Sequence, residues 1–253
     1  MELDDYVRRF GGISRLYGPA ALSRFEQANV VVIGVGGVGS WAVEALARSA
    51  IGHITLIDLD NVCASNVNRQ LHAITPDFGK AKVTALAERI MQINPRAQVE
   101  QIEEFVTPEN LNELITPRFD YVIDAIDQLK TKIALIAHCK KLDIPIITTG
   151  AAGGQIDATR ITIDDLANTI QDPLLSKVRS QLRKYHQFPR GDKARFKVEA
   201  VYSSEPIRYP EQSCETSNGP AGLNCAGFGS AMAVTATFGL MAAGQVLQKL
   251  SAA

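Results

Sequence analysis

The chain has 253 residues, 46% of them hydrophobic and 21% charged, a composition that excludes a disordered protein and fits one large α/β domain or two small ones. Its formal net charge of -1 excludes an overall basic protein, so a polyanionic partner would have to bind a local patch. The four cysteines form no C-x-x-C pair, which argues against a disulfide scaffold and against a zinc site. The charged N-terminus predicts a cytoplasmic protein rather than a secreted one.

The pattern of the first 150 residues predicts a core that follows a helical segment. Residues 1–27 are expected to form that helical segment. Between residues 28 and 150 strand and helix patterns alternate, which predicts a doubly wound, mostly parallel α/β sheet of the Rossmann-like class. We expect strands at 30–33, 53–57, 97–105, 119–127 and 144–150, and helices at 38–49, 80–93, 107–115 and 129–141. Thr107 is the expected N-cap of the third helix, because Pro108 follows it at the first helical position.

Residues 151–253 follow a different pattern and are predicted to form an additional C-terminal α+β portion. We expect strands within 153–166 and 196–207, and a helix over 171–188. Asp172 is the expected N-cap of that helix, since Pro173 follows it. The apolar stretch 221–247 is long enough to span a bilayer, but its many Gly, Ala, Ser and Thr residues favour a buried helix.

A glycine-rich turn, GVGGVG, links the first predicted strand to the first predicted helix. Its glycines are Gly34, Gly36, Gly37 and Gly39. In such a turn the first glycine permits a tight bend, the second lets the backbone approach a phosphate, and the last lets the helix pack on the strand. Asp58 follows the second strand, where it can accept hydrogen bonds from a ribose. Together the turn and Asp58 predict a nucleotide site, and they leave open whether the nucleotide is a dinucleotide or ATP.

Polar and basic residues beyond Asp58 favour ATP. They are Asn66, Arg69, Gln70 and Lys82. A triphosphate whose pyrophosphate leaves requires cations, which Arg69 and Lys82 can supply, although Lys82 taken alone resembles an exposed helix lysine. Of the two aspartates at the end of the fourth strand, Asp127 is the better candidate for Mg²⁺, and Asp124 is expected to be structural.

These motifs occur in one order along the chain: Arg15, GVGGVGS, DLD, SNVNRQ, GKAKV and DAID. The set resembles the ubiquitin-activating-enzyme-like superfamily over residues 10–163, and again in the apolar C-terminal helix. The resemblance implies an ATP-dependent adenylyltransferase fold, usually a homodimer, in which Arg15 reaches the ATP of the partner subunit. By residue match it implies that Asp58 binds the ribose, that Asn66, Arg69, Gln70 and Lys82 bind the triphosphate, and that Asp127 holds Mg²⁺. It further implies that a carboxylate attacks the α-phosphate, with Arg69, Lys82 and Asp127 as the catalytic residues.

The identity of that carboxylate depends on a second resemblance. Sulfur-carrier activators of the superfamily usually hold zinc with two C-x-x-C pairs, which this sequence lacks. The segments SRLYGPAALSRFEQ, TGAAGGQIDATRI and VYSSEP are instead similar to a family of bacterial tRNA threonylcarbamoyladenosine dehydratases, and the similarity covers essentially the whole chain. It implies that ATP activates the carboxylate of threonylcarbamoyladenosine beside the anticodon, and that the ring then closes intramolecularly without a protein thioester.

Two alternatives remain. One is an adenylyltransferase that activates the C-terminal carboxylate of a small sulfur-carrier or ubiquitin-like protein, and the other is an NAD-binding regulator. The family resemblance also admits sulfur-relay or cysteine desulfurase proteins as partners. Cys214 lies in a polar loop without a cation nearby, which disfavours a catalytic thiol there. Cys225 begins the predicted apolar helix and is expected in the core.

A basic segment lies between residues 177 and 208, with nine Lys and Arg residues against three acidic ones. Tyr185, His186 and Phe188 are interleaved with the charges, so the segment can neutralise RNA phosphates and offer rings to an unpaired base. We expect contacts with tRNA from Lys177, Arg179, Arg183, Lys184, Arg190, Lys193 and Arg195.

Overall fold

A computed structural model describes residues 3–191, 193–209 and 228–252. Within these residues seven strands form one sheet in the order β3-β2-β1-β4-β5-β7-β6, and only β6 of them runs antiparallel to its neighbour. The strands are β1 (Asn29–Ile33), β2 (His53–Ile57), β3 (Gln98–Ile102), β4 (Tyr121–Asp124), β5 (Ile146–Thr149), β6 (Ile161–Asp165) and β7 (Glu199–Ser203). The helices are α1 (Leu3–Tyr17), α2 (Pro19–Gln27), α3 (Gly39–Arg48), α4 (Lys82–Ile93), α5 (Leu111–Leu114), α6 (Leu129–Leu142), α7 (Pro173–Tyr185) and α8 (Met232–Ala252). This architecture confirms the predicted doubly wound, mostly parallel α/β sheet.

Alternate residues of the central strands face opposite sides of the sheet. Val30 and Val32 pack with α2, α3, α4 and α8 in one hydrophobic cluster. Val31 and Ile33 pack with α5, α6 and α7 in the other. Because helices cover both faces, β1 is a continuous apolar run rather than an alternating one. Strand β3 lies at the edge of the sheet, and its other residues are more exposed than the half-buried Val99 and Ile102.

The register of the central strands brings three loops to one edge of the sheet. Ile33 pairs with Ile57 of β2 and with Asp124 of β4. The N–H of Gly34 donates to the Ile57 carbonyl at 2.9 Å, and the N–H of Ala125 donates to the Ile33 carbonyl at the same distance. The glycine-rich turn and the residues that follow β2 and β4 therefore lie side by side at the carboxyl edge of the sheet, where ligands of such folds bind.

The sheet continues beyond residue 150. Strand β7 pairs in parallel with β5 through Ile147 and Glu199, and β6 closes that edge. The predicted boundary at residue 150 therefore falls between neighbouring strands of one sheet. Asp172 caps α7 as expected, because its Oδ1 accepts from Leu175 N at 2.8 Å while its Oδ2 accepts from Ala151 N at 2.9 Å.

The predicted start of the helix over 107–115 is wrong. The helix α5 begins only at Leu111, and Thr107 is not its N-cap. The Asn110 side chain accepts from the Thr107 N–H at 2.8 Å and donates to the Phe105 carbonyl at 2.9 Å. These two bonds hold the residues before α5 in a turn, which an asparagine side chain favours over a helix.

Helix α8 covers α3 from the outside. A Cβ at Gly239 would lie 2.2 Å from the Val38 carbonyl oxygen, so the two helices touch through their backbones. Val234, Phe238 and Ala242 of α8 are buried, as the buried-helix interpretation of the apolar stretch requires. No helix in the described part of the chain combines the length and the apolar character that a membrane crossing needs. The first residues of the stretch, 221–227, lie outside the described residues.

Candidate nucleotide site

The glycine-rich turn depends on close backbone approaches. Gly34 has a φ of +80°, and a Cβ there would lie 3.0 Å from the Ala125 carbonyl oxygen of the loop after β4. A Cβ at Gly39, the first residue of α3, would lie 1.9 Å from the Gly34 carbonyl oxygen. Only glycine fits at Gly39 without displacing the turn, so this turn holds the N-terminus of α3 directly against the end of β1.

Asp58 joins the glycine-rich turn to the loop after β2. One carboxylate oxygen accepts from Val35 N at 2.8 Å, inside the turn, and the other accepts from Asp60 N at 2.9 Å. Burial raises the pKa of this carboxyl, while Lys82 and the two backbone N–H groups act in the opposite direction. Asp58 therefore fixes the turn and stands beside it as a hydrogen-bond acceptor, where the sequence predicted a ribose partner.

Lys82 is the first residue of α4, and only 5% of it is exposed. Its Nζ donates to Asp60 Oδ2 at 2.7 Å and lies 4.0 Å from Asp58 Oδ1. The alternative interpretation of Lys82 as an exposed helix lysine is therefore wrong. The structure brings this cation to the same edge of the sheet as the glycine-rich turn, between two carboxylates.

The loop that precedes α4 brings Arg69 and Gln70 to the glycine-rich turn. A Cβ at Gly37 would lie 3.1 Å from Arg69 Cγ, and a Cβ at Gly36 would lie 3.6 Å from Gln70 Nε2. Gln70 is buried, and its side-chain oxygen has no hydrogen-bond partner in the part of the chain that the structure describes. A buried amide without a partner is costly unless a ligand or water completes it.

Asn66 and Arg69 are anchored by the loop itself. Asn66 is buried, and its side-chain oxygen accepts from Cys63 N at 3.0 Å. Arg69 Nη1 donates to the Ser65 carbonyl at 3.0 Å and to Asn68 Oδ1 at 2.9 Å. These bonds anchor the guanidinium within the loop, while the stem of Arg69 lies against the glycine-rich turn. Asn66 therefore shapes the loop, and Arg69 is the part of it that faces the turn.

The two aspartates at the end of β4 have different surroundings. Asp124 is fully buried, and its Oδ2 accepts from Lys132 Nζ at 2.7 Å and from Thr148 Oγ1 at 2.6 Å. These bonds make it a structural residue, as expected. Asp127 is half-buried three residues further on, at the carboxyl edge. Among the described residues, no group of three or more His, Cys, Asp or Glu side chains forms a metal cluster, so Asp127 offers a single carboxylate.

The chain is similar to known proteins over nearly its whole length. Residues 8–253 match the ThiF family. The chain belongs to the ThiF family. It is 52% identical to a tRNA threonylcarbamoyladenosine dehydratase of Haemophilus influenzae, over 98% of this chain and 95% of the relative. The crystal structure of the E. coli tRNA N6-threonylcarbamoyladenosine dehydratase in complex with ATP superposes on this chain with a TM-score of 0.90 at 48% sequence identity. The structure of the same enzyme in complex with AMP gives a TM-score of 0.89 at 48% sequence identity. Each superposition covers 98% of this chain and 96% of the E. coli chain.

Arg15 lies in the last turn of α1 of this ThiF-family chain and is exposed. Its Nη1 lies 3.4 Å from the position that a Cβ would take at Gly11, so the guanidinium folds back along its own helix. The expected reach of Arg15 to the nucleotide of a second subunit stays a prediction.

The basic segment is only partly available for a polyanion. Its exposed members are Lys177, Lys184, Arg190, Lys193, Arg195, Lys197 and Arg208. Arg179 is half-buried and donates to Thr169 Oγ1, and burial, followed by the charge of Arg183, lowers its pKa. The Arg183 guanidinium lies 5.1 Å from the centroid of the Phe196 ring. Arg179 and Arg183 therefore also serve the packing of the ThiF-family fold.

Phe188 does not offer its ring to a base. It is 7% exposed, and its ring centroid lies 4.9 Å from that of Phe196, in the cluster beneath α7. The expectation that Phe188 is available for stacking is wrong, because this ring fills the core between α7 and β7. Tyr185 and His186 are exposed.

Sequence reasoning missed Asp60 at the nucleotide site and Lys132, the structural partner of Asp124. Asp60 binds Lys82 directly, and the motif DLD contained the signal, since Asp60 follows Asp58 by two positions. Lys132 neutralises Asp124, but nothing in the lysine-rich sequence of α6 distinguishes it from its exposed neighbour Lys130. Cys63 is an exposed free thiol, and Cys139 is a buried one. Cys214 and Cys225 lie outside the described residues.

Proposed function

We propose that this chain uses ATP to convert threonylcarbamoyladenosine in the anticodon loop of tRNA into its cyclic form. The observation that carries the proposal is the likeness over nearly the whole chain to dehydratases crystallised with ATP and with AMP. This likeness includes the basic segment and the residues beyond β5, which the shared adenylation core alone would not require. A carrier-protein adenylyltransferase is the second candidate, and the absence of C-x-x-C pairs disfavours it.

The residues at the carboxyl edge fit a nucleoside triphosphate. Asp58 is an acceptor beside the glycine-rich turn, suited to ribose hydroxyls. Gly36 and Gly37 carry no Cβ, which allows a phosphate to approach the backbone of the turn. Arg69 and Lys82 supply the positive charge that a departing pyrophosphate needs. The side-chain oxygen of Gln70, for which the described residues provide no hydrogen-bond partner, supports a bound ligand at this place. Asn66 would act by shaping the loop that carries Arg69 and Gln70.

The chemistry is an adenylation followed by an intramolecular displacement. A carboxylate oxygen of the threonyl group attacks the α-phosphorus, and the bond to the β-phosphate oxygen breaks to release pyrophosphate. A nucleophilic group of the same side chain then attacks the activated carbonyl carbon, and AMP leaves with the former carboxylate oxygen. The net change in the nucleoside is the loss of one water. Because the nucleophile is already tethered, with effective molarities that reach about 10⁵ M or more, no protein thioester is needed.

Three further features belong to this proposal. Asp127 would hold Mg²⁺ with one carboxylate, since this ion usually takes one or two protein carboxylates together with phosphate oxygens, whose charge it neutralises. The protein would act as a homodimer in the cytoplasm, with Arg15 directed at the nucleotide of the partner subunit. No zinc is required, because none of the proposed steps needs a site of that kind. A sulfur-relay or cysteine desulfurase partner is the remaining family expectation.

The proposal is tested with ATP, Mg²⁺ and tRNA from cells that lack the protein. Mass spectrometry of the nucleosides is expected to reveal threonylcarbamoyladenosine that has lost one water, with pyrophosphate released in equal amount. An unchanged nucleoside profile from protein that still binds ATP would contradict the proposal. Pyrophosphate release that depends on a small carrier protein and ignores tRNA would establish the second candidate instead.

A further inference from the structure

A cavity of about 440 Å³ lies beside the nucleotide site. One wall is the loop around Ser65, Asn68 and Arg69, and the other wall is residues 228–230. Its volume falls within the range of about 300–1,000 Å³ that is typical of small-molecule sites. Arg69 lines this cavity and also lies against the glycine-rich turn, so the cavity opens next to the place where the triphosphate is proposed to bind.

The second wall is held in position from two sides. Asn68 Nδ2 donates to the Ser230 carbonyl at 2.7 Å, and Met232 N donates to the Asn68 carbonyl at 3.1 Å. On the other side Gly154 N donates to the Gly229 carbonyl at 2.8 Å. The loop before α4 and the loop after β5 therefore both form hydrogen bonds with residues 229–232, and these bonds define the shape of the cavity.

One aromatic ring lines this cavity, and a second aromatic ring packs on the first. Phe228 lines it, and the ring of Tyr209 stands 5.3 Å from the Phe228 ring, centroid to centroid, while 74% of Tyr209 is exposed. The Phe228 ring packs on Gly154, where a Cβ would come within 3.3 Å of Phe228 Cδ1. A large exposed ring supported by a second ring is the kind of surface on which proteins stack an unpaired base of single-stranded RNA.

Arg69 supplies the complementary charge at the inner end of the cavity. The guanidinium of Arg69 donates two hydrogen bonds to described residues, and both come from Nη1. Its Nε and Nη2 can therefore donate together to the two oxygens of a carboxylate. A carboxylate that attacks a phosphate must approach another anion, and a cation between the two reduces their repulsion. The cavity thus has an aromatic side and a cationic side, next to the nucleotide site.

We propose that this cavity receives the threonylcarbamoyl-modified adenosine itself, with the base stacked on Tyr209 and Phe228 and the threonyl carboxylate directed at Arg69. This inference rests on the proposed function, because it names where that substrate binds. It assigns Tyr209 and Phe228, which the sequence did not single out, to recognition of the modified base. The basic segment then binds the phosphates, and the cavity distinguishes the modified nucleoside.

The test compares two anticodon stem-loops that differ only in the threonylcarbamoyl group, measured with wild-type protein, Tyr209→Ala and Tyr209→Trp. Stacking of one base contributes about 1–3 kcal/mol, so Tyr209→Ala is expected to weaken binding of the modified stem-loop about 10-fold. The preference for the modified stem-loop should shrink with it, whereas ATP affinity stays unchanged. Tyr209→Trp should retain the preference, since it keeps a large ring.

Met91→Ala is the control, because Met91 is 44% exposed near the end of α4, the end that leads into the start of β3 and away from the carboxyl edge, and the change should leave both affinities unchanged. An equal loss for both stem-loops, or no loss in Tyr209→Ala, would overturn the assignment of the cavity. Either result leaves the proposed function standing if the wild-type protein still removes water from the nucleoside. Absence of that conversion in the wild-type protein would overturn both.

Discussion

Lys82 and Asp60 form a hydrogen-bonded ion pair at 2.7 Å, and the lysine side chain is buried although the aspartate is half-exposed. A buried amine held at the edge of a nucleotide site can pass from a carboxylate to a phosphate without leaving its place at the start of α4. We therefore expect Lys82→Met to lower the rate of ATP-dependent pyrophosphate release about 10²- to 10³-fold, the usual effect of removing one group that stabilises developing charge. The rate is measured with saturating tRNA substrate.

Lys80→Met is the control for this substitution. Lys80 lies two residues earlier and forms its ion pairs with Asp77 and Glu88, outside the nucleotide site. The Lys80→Met variant should release pyrophosphate at a rate within about threefold of wild type, since the loss of exposed ion pairs changes stability little. Equal rates in the two variants would show that Lys82 does not act on the phosphates.

Gly39→Ala should disrupt the glycine-rich turn. A methyl group there would stand 1.9 Å from the Gly34 carbonyl oxygen, an overlap that only a backbone shift can relieve. We expect the free energy of unfolding to fall by about 1–3 kcal/mol and ATP affinity to fall with it. Urea denaturation measures the first effect and equilibrium dialysis with ATP the second. Gly244→Ala in α8, where no described atom beyond the neighbouring residues and backbone of the same helix lies within 4 Å of the added methyl group, should instead raise stability by up to about 1 kcal/mol.

Lys132→Met should leave a buried negative charge at Asp124. Both side chains are fully buried, and Thr148 would be the remaining side-chain donor to that carboxylate. Breaking a buried pair from one side costs about 3–5 kcal/mol of unfolding free energy. The double variant Lys132→Met with Asp124→Asn should recover part of this loss, because the amide is neutral. Lys130→Met, on the exposed side of the same helix, is the control, and strictly additive losses in the double variant would refute the coupling.

His72 predicts a pH dependence of stability. Only 2% of the residue is exposed, and neither ring nitrogen has a hydrogen-bond partner within the described part of the chain. Burial, reinforced by the charge of Lys82, lowers the pKa of His72 from 6.5 to about 4. Between pH 6.5 and pH 4 the unfolded chain binds a proton at His72 that the folded chain does not bind. The free energy of unfolding is therefore unaffected by protonation of His72 above pH 6.5 and decreases as the pH falls toward 4.

The expected loss attributable to His72 is about 2 kcal/mol between about pH 7.5 and about pH 5. Urea denaturation at the two pH values gives the change for the wild-type protein, and the His72→Leu variant should show a correspondingly smaller change. His186→Gln, at an exposed position after α7, should behave as the wild-type protein does. A pH dependence that is identical in His72→Leu would contradict the assignment.

The exposed part of the basic segment predicts a salt-dependent contribution to tRNA binding. In the double variant Lys184→Glu with Lys193→Glu, binding should weaken, and the slope of log K against log salt should decrease by about 0.7 for each phosphate that the variant no longer neutralises. ATP affinity should not change. Lys140→Glu with Lys141→Glu reverses the same number of charges at exposed positions of α6. An equal decrease in both double variants would indicate net charge rather than a specific surface.

Much of the fold follows from local patterns in the sequence. Runs such as Val30–Ile33 form buried strands because both faces of the sheet are covered, and Asp172 with Pro173 starts a helix because the cap needs only nearby residues. The glycine-rich turn was predictable for the same reason, since its bend and its close approaches are set within a few neighbouring residues. The prediction of Thr107 as a helix N-cap was wrong because the side chain of Asn110 stabilises a turn at these residues instead.

Features that depend on distant parts of the chain were not predictable in this way. The pair of Lys82 and Asp60 spans 22 positions, and it forms only when the loop after β2 folds back onto the start of α4. Phe188 looked available because its neighbours are polar, yet its ring packs against that of Phe196 in the core. The sequence supplied the residue types of the site, and tertiary packing decided which of them face a ligand.

The close approach of Gly239 in α8 to the Val38 carbonyl has a consequence for synthesis on the ribosome. Residues 39 and 239 are 200 positions apart, yet the helix that begins at the first is covered by the helix that contains the second. A nascent chain that ends before Met232 would leave the apolar face of α3 open to water. This face of α3 is therefore covered only at the end of translation, once α8 has been synthesised.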